Sequence, residues 1–496
     1  MIWHIARREL LEHVRSARFL TLCGLALLLL PLSAHVNVAH YRARLAQTAE
    51  LRAAQQRRIA EPVTESGAYA SRYGWRDGET MADPALRALR GPSRFAVLAM
   101  GADGALPAYW QFGTEGVEAG PAASGGNAAE AGMDAVFIVQ VVLGLLALLL
   151  VFDAISGERE SGVLRLLLAA PVPRGDLLLG KALGTAMTLA LPLLLGLAGA
   201  LVVTEVQGVS LLRDGGAPRL TVFLAASALY LLHMVALGLA VSSVTARPRS
   251  SWVAVLLLWI GLVLVAPRAT EMVAATLEPV PPAFEARQAR AAAIRQLQAE
   301  RARALSVIWE RVAGVDTVPE GQLPRTVRES YRDASAEQER IFSARKRATI
   351  RQVDLDRARR AERHARLVRH AGRFSPASSY AALAADLAGT GREAGRRWLD
   401  QVAAHQERLE GATFDRRYGL ELFPRELGFL RIIWWPDLAD AADRPPGYTE
   451  LPAFAYREPS LEAVLAGAVP ELGVLTAGAV AWLLVAMAAF QRAEIQ

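Results

Sequence analysis

Six runs of apolar residues stand out along the chain, at 19–38, 135–152, 177–204, 220–244, 251–274 and 471–490. A helix crosses the hydrocarbon core of a bilayer with about 20 such residues, so the pattern predicts six transmembrane helices. Polar sequence separates them unevenly: 39–134 and 275–470 are long, 205–219 and 245–250 are short, and 153–176 is charged and amphipathic. The predicted fold class is mainly α, a polytopic membrane protein with two extracytoplasmic domains, the second built largely of long helices.

Periodicity refines each part. In 1–18, Ile2, Ile5, Leu10 and Val14 fall near one face with Arg7, Arg8, Arg15 and Arg18 around it, the pattern of a helix at a membrane surface. Trp3, Arg7, Arg8, Glu9 and Arg15 are its candidate interface residues. This leader carries Glu9 and Glu12, and no small-x-small cleavage site follows, so the first run is expected to be a retained anchor. Residues 39–134 open with a helical segment, YRARLAQTAELRAAQQRRIAE, and close in a Gly/Ala-rich linker. Pro192 is expected to kink the third span. In 275–470, two Arg/Glu/Ala-rich stretches, 284–312 and 326–370, read as extended helices packed as hairpins. After Ser375-Pro376 a further helical part is expected to about Leu409, whereas the Pro- and aromatic-rich stretch from Phe423 to Ser460 is expected to be irregular or partly strand, with Trp434 and Trp435 as interfacial anchors or as core. Residues 491–496 form a short tail.

Between the second and third runs lies FDAISGERESGVLRLLLAAPVPRGDLLLGK, Phe152 to Lys181. Val163, Leu166 and Leu167 share one helical face, Arg165 falls elsewhere, and Pro171 and Pro173 stop the helix. A short interfacial helix and an ordinary solvated loop both fit this stretch. Gly175 to Lys181 also matches the spacing of a phosphate-binding loop. Ala182 nevertheless stands where a Ser or Thr is needed to hold magnesium, and the segment opens a membrane helix. Nucleotide binding by this chain is therefore not predicted.

Composition then narrows the function. The chain is 53% hydrophobic with a net charge of +6. Its basic residues are almost all Arg, with Lys only at 181 and 346, and no RNA- or DNA-binding module uses that charge. Cys23 is the single cysteine, so no disulfide framework or thiolate metal cluster can form within the chain. HExxH and GxSxG are absent, and His364 and His370 read as solvated surface rather than ligands, so no metal site is predicted. His233, Arg268, Glu271 and Glu471 are the candidate intramembrane polar residues; Arg268 and Glu271 are spaced to pair on one helical face, or simply mark the interface. Their scatter offers a pathway lining at most, not a catalytic constellation.

Charge also orients the chain. Arg7, Arg8, Arg15 and Arg18, then Arg159, Arg165, Arg174 and Lys181, then Arg247 and Arg249, then Arg492 all fall on alternate sides of successive runs. The positive-inside rule makes these segments cytoplasmic. Both termini are thus expected in the cytoplasm and both large insertions outside it.

The N-terminal REL-x-E-x-x-R-S-x-x-F (Arg8 to Phe19), six runs, and a loop D-x-I-x-x-E-R-E-x-G-x-L-x-x-L-L-x-x-P-x-x-R-x-x-x-L-x-G-K (Asp153 to Lys181) together resemble permease subunits of type-2 ABC exporters. Ser375-Pro376, an LAGT segment at Leu387 to Thr390, and Pro452, Phe454 and Tyr456 resemble a bacterial subgroup with large periplasmic insertions. That resemblance implies a transmembrane subunit of the bacterial inner membrane whose loop helix docks on a separate ABC ATPase. By position, Glu158, Arg159, Gly162, Leu166, Leu167, Pro171 and Arg174 would form the ATPase-coupling element. It further implies a second copy or a homologous permease as partner. ATP and magnesium would sit on the ATPase, leaving no cofactor in this chain. Large insertions depart from the plain family pattern. They keep open an alternative, a non-transporting scaffold or sensor whose outer domains bind a periplasmic partner.

Overall fold

The computed structural model describes residues 2–60, 84–113, 116–123, 133–165, 173–213, 215–313, 325–414 and 452–492. Helix α1 is Ile2–Val14 and α2 is Ala17–Ala60. Helix α3 starts at Ala135–Phe137, passes through a π-helical stretch Ile138–Leu143 and ends as Gly144–Val151; α4 is Ser156–Glu160. Then come α5 (Arg174–Val206), α6 (Gly216–Val244) and α7, which runs as Pro248–Trp259, a π-helical stretch Ile260–Val265 and Ala266–Leu277. Helices α8 (Ala283–Ala313), α9 (Arg325–Gly372), α10 (Pro376–Ala388), α11 (Arg392–Phe414) and α12 (Leu461–Arg492) follow. The fold is mainly α, with six helices long and apolar enough to cross a membrane. Those six are the spans predicted from the apolar runs.

Helix α6 is the hub of the bundle. Two thirds of its apolar window is enclosed by protein, against 17% for α12, and α12, α3, α5 and the start of α7 all pack on it. Hydrocarbon offers no hydrophobic drive between helices, so close approach has to come from small residues. Gly478 of α12 lies against the His233 ring, Gly238 of α6 against Val151, and Gly196 of α5 against Leu30 and Ala26 of α2.

Pro267 shows how a helix survives a residue that should end it. Proline lacks an N–H and its ring collides with the carbonyl four residues earlier. The widened turn of Ile260–Val265 lies immediately before it and makes room. Helix α7 therefore continues to Leu277.

Outside the spans, α2 carries on as one unbroken helix of 44 residues, about 65 Å long at 1.5 Å per residue. A small antiparallel sheet lies beside it, β1 (Arg87–Leu89), β2 (Tyr109–Gly113) and β3 (Gly116–Ala119), in that order. Its apolar face meets α11. Ala88 and Phe112 from the first insertion share a core with Trp398, Val402 and Leu409 from the second, and Trp110 meets Trp398 edge-on at 6.2 Å. The described parts of the two insertions thus form one body. Helices α8 and α9 make an antiparallel pair, with Trp309 against Tyr331 at 5.4 Å.

Helix α10 joins this body to the bundle. Ser375 caps it by accepting from the Ser378 N–H, and Gly389 ends it in the left-handed region at φ 68°. Its apolar face packs on α6, α12 and the π stretch of α7. Tyr380 stacks on Tyr230 at 4.9 Å and shares a 2.8 Å hydrogen bond with Ser227. The Ser375 hydroxyl donates to the Leu262 carbonyl at 2.6 Å, one of the carbonyls a π stretch leaves under-used.

Candidate functional site

At the opposite end of the bundle, α1, α4 and the ends of α5, α6, α7 and α12 converge. Helix α1 lies across α5 with Ala6 fully buried. Gly180 and Gly184 permit this, because a Cβ on either would come within 2.7 Å of Ile5 Cβ or the Ala6 carbonyl oxygen. Gly180 of the false phosphate-loop match thus serves helix packing. Trp3, Arg7, Arg8 and Arg15 are exposed, as an interfacial helix requires, whereas Glu9 turns inward.

The charged residues of the loop are mostly consumed inside the protein. Lys181, from the first turns of α5, reaches Glu158 of α4 at 2.8 Å and Glu9 of α1 at 3.4 Å. Burial pushes the Glu9 carboxyl up, but the hydrogen bond from His13 and the Lys181 charge outweigh it, so Glu9 is held below the usual carboxylate range. Arg159 donates to the Thr245 and Ser243 carbonyls at 2.8 and 3.1 Å, satisfying acceptors that the end of α6 leaves open. The Ser242 hydroxyl in turn accepts from the Ile155 and Ser156 N–H groups at 3.1 Å each, capping the start of α4. Arg18 of α2 grips Asp153 with two hydrogen bonds, at 3.2 and 2.9 Å, and the Ser251 hydroxyl donates to the Phe152 carbonyl. Gly162 adopts φ 75°, turning the chain after α4 in a conformation that L side chains resist. Arg174 donates to the Phe490 and Gln491 carbonyls at the end of α12.

Six helices, α1, α2, α5, α6, α7 and α12, are thereby tied to one short loop. Among its described residues, Glu160, Ser161, Val163 and Arg165 remain exposed. Leu166, Leu167 and Pro171 lie outside the described residues, as do Trp434 and Trp435. The sequence points to Glu158, Arg159 and Arg174, and to Lys181 as an orienting charge and the last position of the loop motif; it gives Ser242 no role. A lone Lys opening an apolar run was the available signal.

The remaining polar candidates are dispersed. His233 lies buried in α6, 3.1 Å from the Leu475 carbonyl oxygen. Glu471 pairs with Arg373 at 3.2 Å where α9 meets α12. Glu271 pairs with Arg392 and faces His364 at 3.9 Å; it does not pair with Arg268, which is exposed. These four residues do not converge on one another.

Comparison with known proteins places this geometry. The model of the ABC-2 family transporter protein family matches residues 3–308, from α1 into α8. A probable ABC transporter permease protein NosY of Pseudomonas aeruginosa is 41% identical over 128 residues, 25% of this chain and 45% of the relative. A probable ABC transporter permease protein NosY of Stutzerimonas stutzeri is 47% identical over 72 residues, 14% of this chain and 26% of the relative. The matches thus span less than half the length of either relative. With the six spans and a family match over more than half of its length, the chain belongs to the ABC-2 transporter family, as a membrane-spanning permease.

Proposed function

We propose that this chain is the permease subunit of a bacterial inner-membrane exporter driven by a separate ABC ATPase, working as two copies or beside a homologous permease. The observation that carries this reading is the α4 loop. Its charged residues brace it against α1, α5, α6 and α12, while Glu160, Ser161, Val163 and Arg165 face outward. A loop seated on several helices, with a free, mixed polar and apolar face, suits a docked subunit whose movement must reach the spans. The positive-inside rule supports a cytoplasmic position for the loop and both termini, and a periplasmic one for the two insertions. ATP and magnesium belong to the partner on this reading.

Its test is purification of the tagged chain in mild detergent from its own membranes, with identification of co-purifying subunits and an ATPase assay. A P-loop subunit whose hydrolysis falls with Glu158→Gln is the expected outcome; its absence would sink the reading. A second reading, a scaffold or sensor that binds a periplasmic partner, draws on the single body formed by the two insertions. An open cavity of about 490 Å³ in that body, lined by Arg52, Gln55, Phe454, Tyr456 and Glu458 among others, gives such a partner a place. Periplasmic partners without any ATPase would favour it.

A further inference from the structure

The ion pairs under α1 are unbalanced. One ammonium, Lys181, serves two carboxylates, Glu158 at 2.8 Å and Glu9 at 3.4 and 3.5 Å to its two oxygens. Lys181 and Glu9 are largely buried, with side chains 7% and 13% exposed. The second Glu158 oxygen is buried without a hydrogen-bond partner among the described residues. Stability alone would favour one carboxylate per ammonium, since an unpaired buried acceptor costs free energy.

We propose that Lys181 is a positioning residue that hands over between two carboxylates: when the α4 loop moves away from the bundle, Lys181 leaves Glu158 and stays paired with Glu9. This rests on the coupling reading of the loop and adds a device that lowers the cost of loop movement at this ion-pair cluster. Breaking a buried pair is expensive chiefly because it strands a charge. An ammonium has three donors and can keep one carboxylate while releasing another. Glu9 is fixed in place for this purpose, since α1 is seated on α5 at Gly180 and Gly184 and cannot follow the loop. His13, 3.6 Å from Glu9, also steadies that carboxylate. Glu158, released, moves with α4 toward water and is solvated there.

Two neutral substitutions separate this from a merely structural cluster. Glu9→Gln removes the receiving carboxylate and leaves the closed pair intact, so the loop should open less. Glu158→Gln removes the closed pair and leaves the receiving one, so the loop should open more. The readout is hydrogen exchange at the Ile155 and Ser156 amides, which are bonded to Ser242 only while the loop is seated. It is measured on the purified full chain in lipid nanodiscs. Exchange should slow about tenfold in Glu9→Gln and quicken about tenfold in Glu158→Gln, the worth of one charge-assisted hydrogen bond. Glu9→Asp, which keeps the charge but draws it back, should fall between native and Glu9→Gln. Exchange in Glu9→Gln and Glu9→Asp as fast as native or faster would overturn the hand-over, as would unchanged exchange in Glu158→Gln. The coupling reading fails separately: the same exchange pattern in a chain that stimulates no ATPase would keep the hand-over and discard the coupling.

Discussion

The Arg159 guanidinium sits 2.8 Å from the Thr245 carbonyl oxygen, bonding the end of a short loop helix to the first residue after α6. A second bond to Ser243 uses the planar fork that a lysine lacks. Arg159→Ala should destabilise the protein by about 1–3 kcal/mol, since two part-buried carbonyls lose a charged donor. Arg159→Lys should recover only part of it. Thermal unfolding in detergent measures both, and a fully restored lysine variant would count against the two-carbonyl geometry.

Helix α1 depends on two missing methyl groups. A Cβ on Gly184 would lie 2.7 Å from the Ala6 carbonyl oxygen, a backbone atom that cannot swing aside. Gly184→Leu should lift α1 from α5 while leaving the six spans in place. Limited proteolysis reports this directly: cleavage after Arg7 or Arg8 should rise several-fold, whereas native-like resistance would mean that α1 tolerates a wider spacing.

Tyr380 anchors the outer body in the bundle by its ring more than by its hydroxyl. Tyr380→Phe loses the Ser227 hydrogen bond, a change of about 1 kcal/mol. Tyr380→Ala removes the stack on Tyr230 and leaves a cavity, a cost of about 3–5 kcal/mol for a fully buried aromatic. Equal effects in thermal unfolding would show that the stack contributes little.

The outer body should respond to acid through His405. Its ring is buried between Phe112 and Phe454, at 5.1 and 5.4 Å, and burial, aided by the Arg408 charge, pushes it down from 6.5 to about 4. A lowered folded-state value means stability fully present above pH 6.5 and lost progressively as the pH falls toward 4. Asp386 works in the opposite sense: burial raises it to about 6, so its contribution is full below about 4 and lost as the pH rises through 6. Stability followed against pH should therefore flatten on the acid side in His405→Phe, and should rise near pH 7 in Asp386→Asn. Unaltered pH curves in both would remove these two groups from the account.

Much of the bundle was legible because crossing a bilayer leaves a long apolar run, and all six runs became spans. The π stretches at 138–143 and 260–265 were not, since local composition there is as apolar as in any other turn. Helix α10 reads as helical after Ser375-Pro376, but its seat on the bundle was hidden for a different reason. At 13 residues it is too short to span, so it read as part of a polar insertion, yet Tyr380 and Ser375 seat it on the spans. Joining of the two insertions depends on pairs such as Trp110 with Trp398, far apart in sequence, which no periodicity reveals. The loop motif marked Glu158, Arg159 and Arg174, each of which bonds to a neighbouring helix in the structure. Two of their partners, the carbonyls of Thr245 and Phe490, carry no side-chain signature at all.

The central claim is that the free face of the α4 loop receives an ATPase. Val163→Asp places a charge on that face without touching the bonds that hold the loop, since the Val163 side chain is 38% exposed. The decisive measurement is co-purification of the Val163→Asp chain from its own membranes, alongside the native chain, with the amount of bound P-loop subunit and the ATPase rate determined together. The account predicts an unchanged unfolding temperature with at least about a tenfold loss of bound subunit, the effect of a charge buried in an interface. Full retention of the subunit and its ATPase activity, or no ATPase with the native chain, would contradict it.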